Sequence, residues 1–282
     1  MRGWGAAIFW RLGISEQTEE LRAPGSQVSG ARPAGTSDEA GSAQAVRAMF
    51  DRIAPRYDLL NHVLSGSVDR TWWWRTARRF RHILERPDAK VLDICCGTGD
   101  MTRALLRWRP AGGEPVIAAD FSQEMLARAR QKLAGRGAEV IEADALRLPM
   151  ADESLDLITT AFGFRNLVNY QAGLVEFYRA LAPGGELGIL DCSKPGGVMG
   201  KLYALYFRRV LPAVGSWISG DLGAYGYLPD SVERFPAPPV VLDMMRSAGF
   251  VEVSWTPYSF GIAGLWRGKK AFTTENAEST ET

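Results

Sequence analysis

The chain has 282 residues, 46% of them hydrophobic and 23% charged, which excludes a largely disordered protein and leaves ample length for a buried core. Lys and Arg number 33 against 32 Asp and Glu, a net charge of +1, so binding of nucleic acid through a broadly basic surface is not expected. No apolar run reaches the ~20 residues of a membrane helix, and three cysteines, two of them adjacent, suit a reducing, cytoplasmic compartment rather than a disulfide framework.

Residues 1–42 read as a disordered tail, 43–271 as one domain, and 272–282 as a second, polar tail. In Met1–Leu12 the apolar stretch is short and is broken by Arg11 and Gly13, so a signal peptide is not expected. Strands are predicted at Lys90–Cys95, Pro115–Ala119, Ala138–Ile141, Leu155–Ala161 and Glu186–Leu190. Between them lie helical patterns at Met101–Trp108, at Gln123–Leu133 behind a Ser122 N-cap, and at Ala172–Leu181, the last stopped by Pro183-Gly184-Gly185. This alternation implies a doubly wound α/β sheet, mostly parallel. Val251–Trp255 and Gly261–Arg267 are close enough in sequence to add an antiparallel edge.

The strongest local signal is Val91-Leu92-Asp93-Ile94-Cys95-Cys96-Gly97-Thr98-Gly99-Asp100, a Gly-rich turn between strand and helix. It lacks the third glycine of the dinucleotide fingerprint, and Asp100 would repel a pyrophosphate. The pattern resembles the turn of class I S-adenosylmethionine methyltransferases, whose cofactor carries no phosphate. Asp120 ends the second strand, where a carboxylate can accept from both ribose hydroxyls; Asp144 follows the third and can accept from an adenine amino group, with the Ala145 N–H beside it. Asp93, inside its strand, is expected to orient the turn.

Further motifs narrow the resemblance. Met49-Phe50-Asp51-Arg52-Ile53-Ala54-Pro55-Arg56-Tyr57-Asp58 precedes the first strand, Phe162-Gly163-Phe164-Arg165-Asn166 follows the fourth, and Asp191-Cys192-Ser193-Lys194-Pro195 follows the fifth. From about residue 46 to 270 the chain resembles the C-methyltransferases of ubiquinone and menaquinone biosynthesis. The resemblance implies a Rossmann-like methyltransferase fold, S-adenosylmethionine as cofactor, and methylation of a ring carbon of a polyprenyl quinol, with demethylmenaquinol ahead of the methoxy-benzoquinol. Carried over by motif, it implies cofactor contacts from Thr98, Asp120, Asp144 and Ala145; Gly97, Gly99 and Asp100 are cofactor candidates from the turn itself. No metal is expected. Other acceptors on the same scaffold, and a noncatalytic cofactor-binding subunit, are the alternatives.

As a quinol loses its proton, charge spreads to the ring carbon that must attack the methyl group. A fixed guanidinium would favour that anion, so Arg165 is the candidate, its alternative being an ion pair with Asp191. Asn166 is placed to orient a quinol oxygen or to cap the next helix, and Tyr57 to touch quinol or cofactor or to join the core. Asp100 is read as a partner of the methionine amino group. The apolar set Leu202, Tyr203, Tyr206, Phe207, Val210 and Leu211, and the Trp72-Trp73-Trp74 cluster among arginines, are candidates for peripheral contact with the inner face of a membrane or for ordinary core packing.

Overall fold

The computed structural model describes residues 30–56, 67–197, 200 and 230–272. Seven strands form one sheet: β1 (Val91–Ile94), β2 (Val116–Asp120), β3 (Ala138–Glu142), β4 (Leu155–Ala161), β5 (Leu181–Cys192), β6 (Val251–Tyr258) and β7 (Ala263–Lys269). Their order is β3-β2-β1-β4-β5-β7-β6. β1 to β5 pair in parallel, for example Val91 with Val116 and with Leu157. β7 runs antiparallel between β5 and β6, with Ile189 opposite Trp266.

The central strands carry apolar runs because helices cover both faces. The four residues of β1 are all buried. Helices flank the sheet: α1 (Glu39–Ile53), α2 (Asp69–Arg79), α3 (Arg81–Leu84), α4 (Asp100–Leu106), α5 (Gln123–Leu133), α6 (Tyr170–Ala180) and α7 (Pro238–Ser247). Trp72, Phe80 and Leu105 build one core, while Phe164, Tyr170, Phe177 and Trp266 build a larger one. Side-chain caps fix three helix starts. Asp38 Oδ1 accepts from Gly41 N, Ser122 Oγ from Met125 N, and Asn169 Oδ1 from Ala172 N.

Two elements depart from the sequence pattern. β5 begins at Leu181, ahead of Pro183-Gly184-Gly185, which is absorbed as an irregularity: Leu155 pairs with Leu181, but Leu157 already pairs with Glu186. Gly184, at φ +80°, makes that detour, and its N–H donates to Lys270 O. Residues 30–42, assigned by composition to a tail, are built against the domain: Ala31 N donates to Leu167 O, and Ser42 is fully buried. The apolar set Leu202–Leu211 lies outside the described residues, as do Met1–Leu12.

Gly188 of β5 shows how tightly the sheet face is filled. A Cβ there would sit 2.5 Å from Phe80 Cζ. Gly188→Ala is therefore expected to lower the unfolding free energy by about 1–3 kcal/mol in urea titrations, through overpacking.

Candidate active site

The carboxyl ends of β1, β2, β3 and β4 open on one cavity, enclosing about 760 Å³ including its open mouth. This is the edge at which doubly wound sheets bind ligands. Two strand ends are held in the left-handed region: Cys95 after β1 and Phe162 after β4, each at φ 57°. Both line the cavity. Strain of this kind persists only where surrounding contacts enforce it. The two strained turns interlock, because a Cβ on Gly163 would meet Cys95 Cβ at 2.3 Å, so only glycine fits there.

Asp120 organises the cofactor side. Its Oδ2 accepts from Gly97 N at 2.9 Å, and its Oδ1 from Ser122 N at 2.9 Å. The carboxylate thus fixes the Gly-rich turn and the start of α5 together. Burial raises its pKa, against the backbone hydrogen bonds that lower it. Ser122 Oγ donates to Asp51 Oδ1 at 2.5 Å, which ties α1 to the same point. Through Ala43, Val46 and Phe50, α1 forms a wall of the cavity. Arg47 braces it further, bonding Glu142 at 2.9 Å with its guanidinium over the Phe121 ring. Asp144 reaches the cavity after β3, its Oδ1 accepting from Leu146 N at 2.9 Å. Phe121, Met125, Ala143, Ala145 and Leu146 complete an apolar slot between the two acids.

The predicted residues therefore separate into two groups. Gly97, Asp120, Asp144, Ala145 and Asn166 line the cavity, whereas Thr98, Gly99, Asp100 and Arg165 are not part of its described lining. Gly99, at φ +89°, starts α4 where a Cβ would meet Leu133 Cδ1 at 2.8 Å. Lys132, which the sequence reading did not single out, donates to Thr98 Oγ1 at 2.8 Å and pairs with Asp100 at 3.0 Å. It pins the turn from α5; no spacing signal marks a lysine 32 residues beyond Asp100. Tyr57 lies outside the described residues.

Arg165 is 5% exposed and forms the ion pair that was one of its two readings. Its Nη1 donates to Asp191 Oδ1 and to Phe162 O, both at 2.7 Å, while Asp191 Oδ2 accepts from Arg165 N at 3.0 Å. The pair holds the 162–166 loop in its strained shape. Asn166 faces the cavity, and its Nδ2 donates to Phe162 O at 3.2 Å. The cap of α6 is Asn169. Asp93 accepts from Thr102 Oγ1 at 2.6 Å and Thr159 Oγ1 at 3.0 Å, joining β1 to α4 and β4. Burial pushes its pKa up to about 7. The cavity thiol Cys95 and its neighbour Cys96 are raised well above the usual thiol range by burial, and Cys192 is raised to about 11.

Two acids flanking an apolar slot fit a nucleoside: one can accept from a ribose, the other from an exocyclic amine. The phosphate-free S-adenosylmethionine matches this donor set, since no basic side chain appears in the described lining. With the strand order, these features define a class I methyltransferase fold and site. The comparisons agree. A possible histamine N-methyltransferase from Thermotoga maritima superposes with a TM-score of 0.56 at 20% identity, covering 80% of this chain and 99% of that one, which supports the fold. The model of the ubiE/COQ5 methyltransferase family matches residues 38–270, and the chain belongs to that family. A demethylmenaquinone methyltransferase of Thermus thermophilus is 48% identical over 225 residues, covering 79% of this chain and 100% of the relative. A protein of the same description from Deinococcus radiodurans is 45% identical, covering 84% of this chain and 97% of the relative. A ubiquinone/menaquinone biosynthesis C-methyltransferase of Geobacter sulfurreducens is 40% identical, covering 80% and 88%. The protein is an S-adenosylmethionine-dependent methyltransferase.

Two outcomes follow from the buried charges. Removing one partner of the Arg165–Asp191 pair, by Arg165→Met or Asp191→Asn, is expected to cost about 3–5 kcal/mol in urea unfolding, and the double variant less than the sum. For Asp93, the folded state keeps a proton up to pH about 7 that the unfolded chain releases near 3.8. Folding then takes up a proton between those values, so this contribution to stability falls as pH rises through the window and is level above it. The difference in unfolding free energy between wild type and Asp93→Asn should decline across that range, and a flat difference would contradict the assignment.

Proposed function

We propose that the protein methylates a ring carbon of a demethylated polyprenyl quinol, demethylmenaquinol first among them. The carrying observation is the near-half identity to a demethylmenaquinone methyltransferase over the whole length of that relative. The cavity walls support the reading. Beyond the nucleoside slot they continue as Ala161, Phe162, Leu167 and Val168, apolar surfaces suited to a fused aromatic ring. Asn166 supplies the one side-chain amide of the described lining and orients a quinol oxygen. Arg165 acts through the loop: by holding Phe162 O and Asp191 it fixes Asn166 against the ring, and its buried positive charge favours the quinolate. Tyr57 joins the proposal as a second group hydrogen-bonding the quinol.

When bound, S-adenosylmethionine supplies an electrophilic methyl group on a sulfonium. The chain's part is alignment and exclusion of water. Asp120 and Asp144 fix the nucleoside end, and the interlocked Cys95 and Gly163 turns set how closely an acceptor carbon can approach. Holding two reactants in line accounts for roughly 7–11 kcal/mol of a barrier in favourable systems. Burial raises the Cys95 and Cys192 thiols above the usual thiol range. Cys192 follows Asp191 rather than a proline, which counts against a cytosine-type nucleic-acid methyltransferase. We further propose peripheral contact with a membrane surface, since the substrate partitions into lipid and no described helix is long and apolar enough to cross one.

The benzoquinol reading stays in play because relatives at 40% identity carry both quinones in their description. Transfer of label from S-adenosylmethionine to reduced demethylmenaquinol, and separately to reduced demethylated methoxy-benzoquinol, separates them. Label is expected in the naphthoquinol. Asn166→Ala is expected to lower kcat about 100-fold while cofactor affinity is unchanged. Label in neither quinol, with cofactor binding intact, would overturn the proposal.

A further inference from the structure

A second recess, about 720 Å³ including its mouth, opens between α2 and α4. It is lined by Arg70, Trp73 and Trp74 on one side and by Asp100, Arg103 and Arg107 on the other. Its single acid is already held by Lys132 at 3.0 Å and by Arg103 at 3.8 Å. Arg70 and Arg107 make no ion pair among the described residues and are exposed. α2 itself carries Arg70, Arg75, Arg78 and Arg79 against one acid, Asp69, which is 3% exposed. In a chain of net charge +1 this is a local excess of positive charge, of which Arg70 shares the recess with Arg103 and Arg107.

The same face carries an aromatic side chain suited to a bilayer interface. Trp74 is 40% exposed beside these guanidiniums, with Arg78 Cζ 5.4 Å from its ring centre. An indole flanked by arginines suits the headgroup level of a bilayer, where the ring meets acyl chains and the cations meet phosphates. α2 also reaches the cavity wall from another of its sides. Trp72, one residue before the recess-lining pair, packs on Phe162 of the cavity wall with ring centres 5.9 Å apart.

We infer that the α2–α4 face, through Arg70, Arg103, Arg107 and Trp74, docks the enzyme on an anionic phospholipid bilayer by binding headgroup phosphates. The inference deepens the quinol reading above and rests on it for its purpose, though not for its chemistry. Binding should require acidic lipid and weaken with salt.

The test is co-sedimentation of the full chain with phosphatidylcholine vesicles, with and without phosphatidylglycerol, at low and raised salt. Wild type should bind the acidic vesicles alone and release in salt. R70Q/R107Q should bind them at least tenfold more weakly, at roughly fivefold per guanidinium removed, whereas R70K/R107K keeps most of the binding and controls for folding. W74A should also weaken binding. With a water-soluble, short-chain demethylnaphthoquinol, R70Q/R107Q should turn over as wild type does; with a long-chain quinol embedded in acidic vesicles, its apparent KM should rise. Equal binding of wild type to neutral vesicles, or unchanged binding by R70Q/R107Q, would overturn the inference. So would saturation of the recess by inorganic phosphate without any vesicle binding, which would mark a site for a free anion. Failure of wild type on the soluble quinol would count against the quinol reading and leave the vesicle result standing by itself.

Discussion

A single buried carboxylate sets the geometry on which the site depends. Asp120 accepts one hydrogen bond from the Gly-rich turn after β1 and one from the start of α5. Ser122, whose N–H makes the second of these, also caps α5 and carries the chain of bonds to Asp51 in α1. Four elements therefore meet at one side chain: β1 through its turn, β2, α5 and the α1 wall. A charge in a dry setting is costly unless hydrogen-bonded. Here the bonds that stabilise the charge also determine the shape of the cofactor slot. A second tie comes from Lys132, which closes over Thr98 and Asp100 on the outer side of the same turn.

The acceptor side follows a similar logic with an ion pair in place of the lone acid. Arg165 and Asp191 are both buried, and each bonds the backbone of the loop as well as its partner. Such a pair adds little net stability over an apolar replacement, but losing half of it is expensive. Its effect here is to hold Phe162 in a left-handed conformation and Asn166 at the cavity wall. The guanidinium thus shapes the site through the loop. Asp93, bonded to two threonines from α4 and β4, steadies the floor between the two sides.

Much of this arrangement was legible in the sequence because it depends on local chemistry. The β1 turn, Asp120 and Asp144 at successive strand ends, and the Ser122 cap are short-range patterns, and the structure has them where the spacing put them. The antiparallel edge was legible as two nearby strand patterns, although β6 runs on to Tyr258 and β7 starts at Ala263 rather than Gly261. What was hidden depends on contacts distant in sequence. Residues 30–42 read as a tail on composition, yet Ala31 bonds Leu167. Arg165 offered two readings, and its ion pair with Asp191, 26 residues on, is visible only in the structure. Asn166 was the cap candidate in sequence; in the structure Asn169 Oδ1 accepts from Ala172 N instead. The β5 detour was read as a helix stop alone, because a Pro-Gly-Gly run signals a turn whether or not a strand surrounds it.

The proposed site is a nucleoside slot fixed by Asp120 and Asp144, joined to an apolar acceptor chamber fixed by Arg165 and Asp191. The central claim is that the Asp120 carboxylate is what makes the first half a cofactor site. The most direct measurement is calorimetric titration of S-adenosylhomocysteine into wild type and Asp120→Asn, with circular dichroism to establish that both are folded. A folded variant that has lost at least tenfold in affinity, a change of about 1.4 kcal/mol, is the expected result. A folded variant that binds as tightly as wild type would contradict the account.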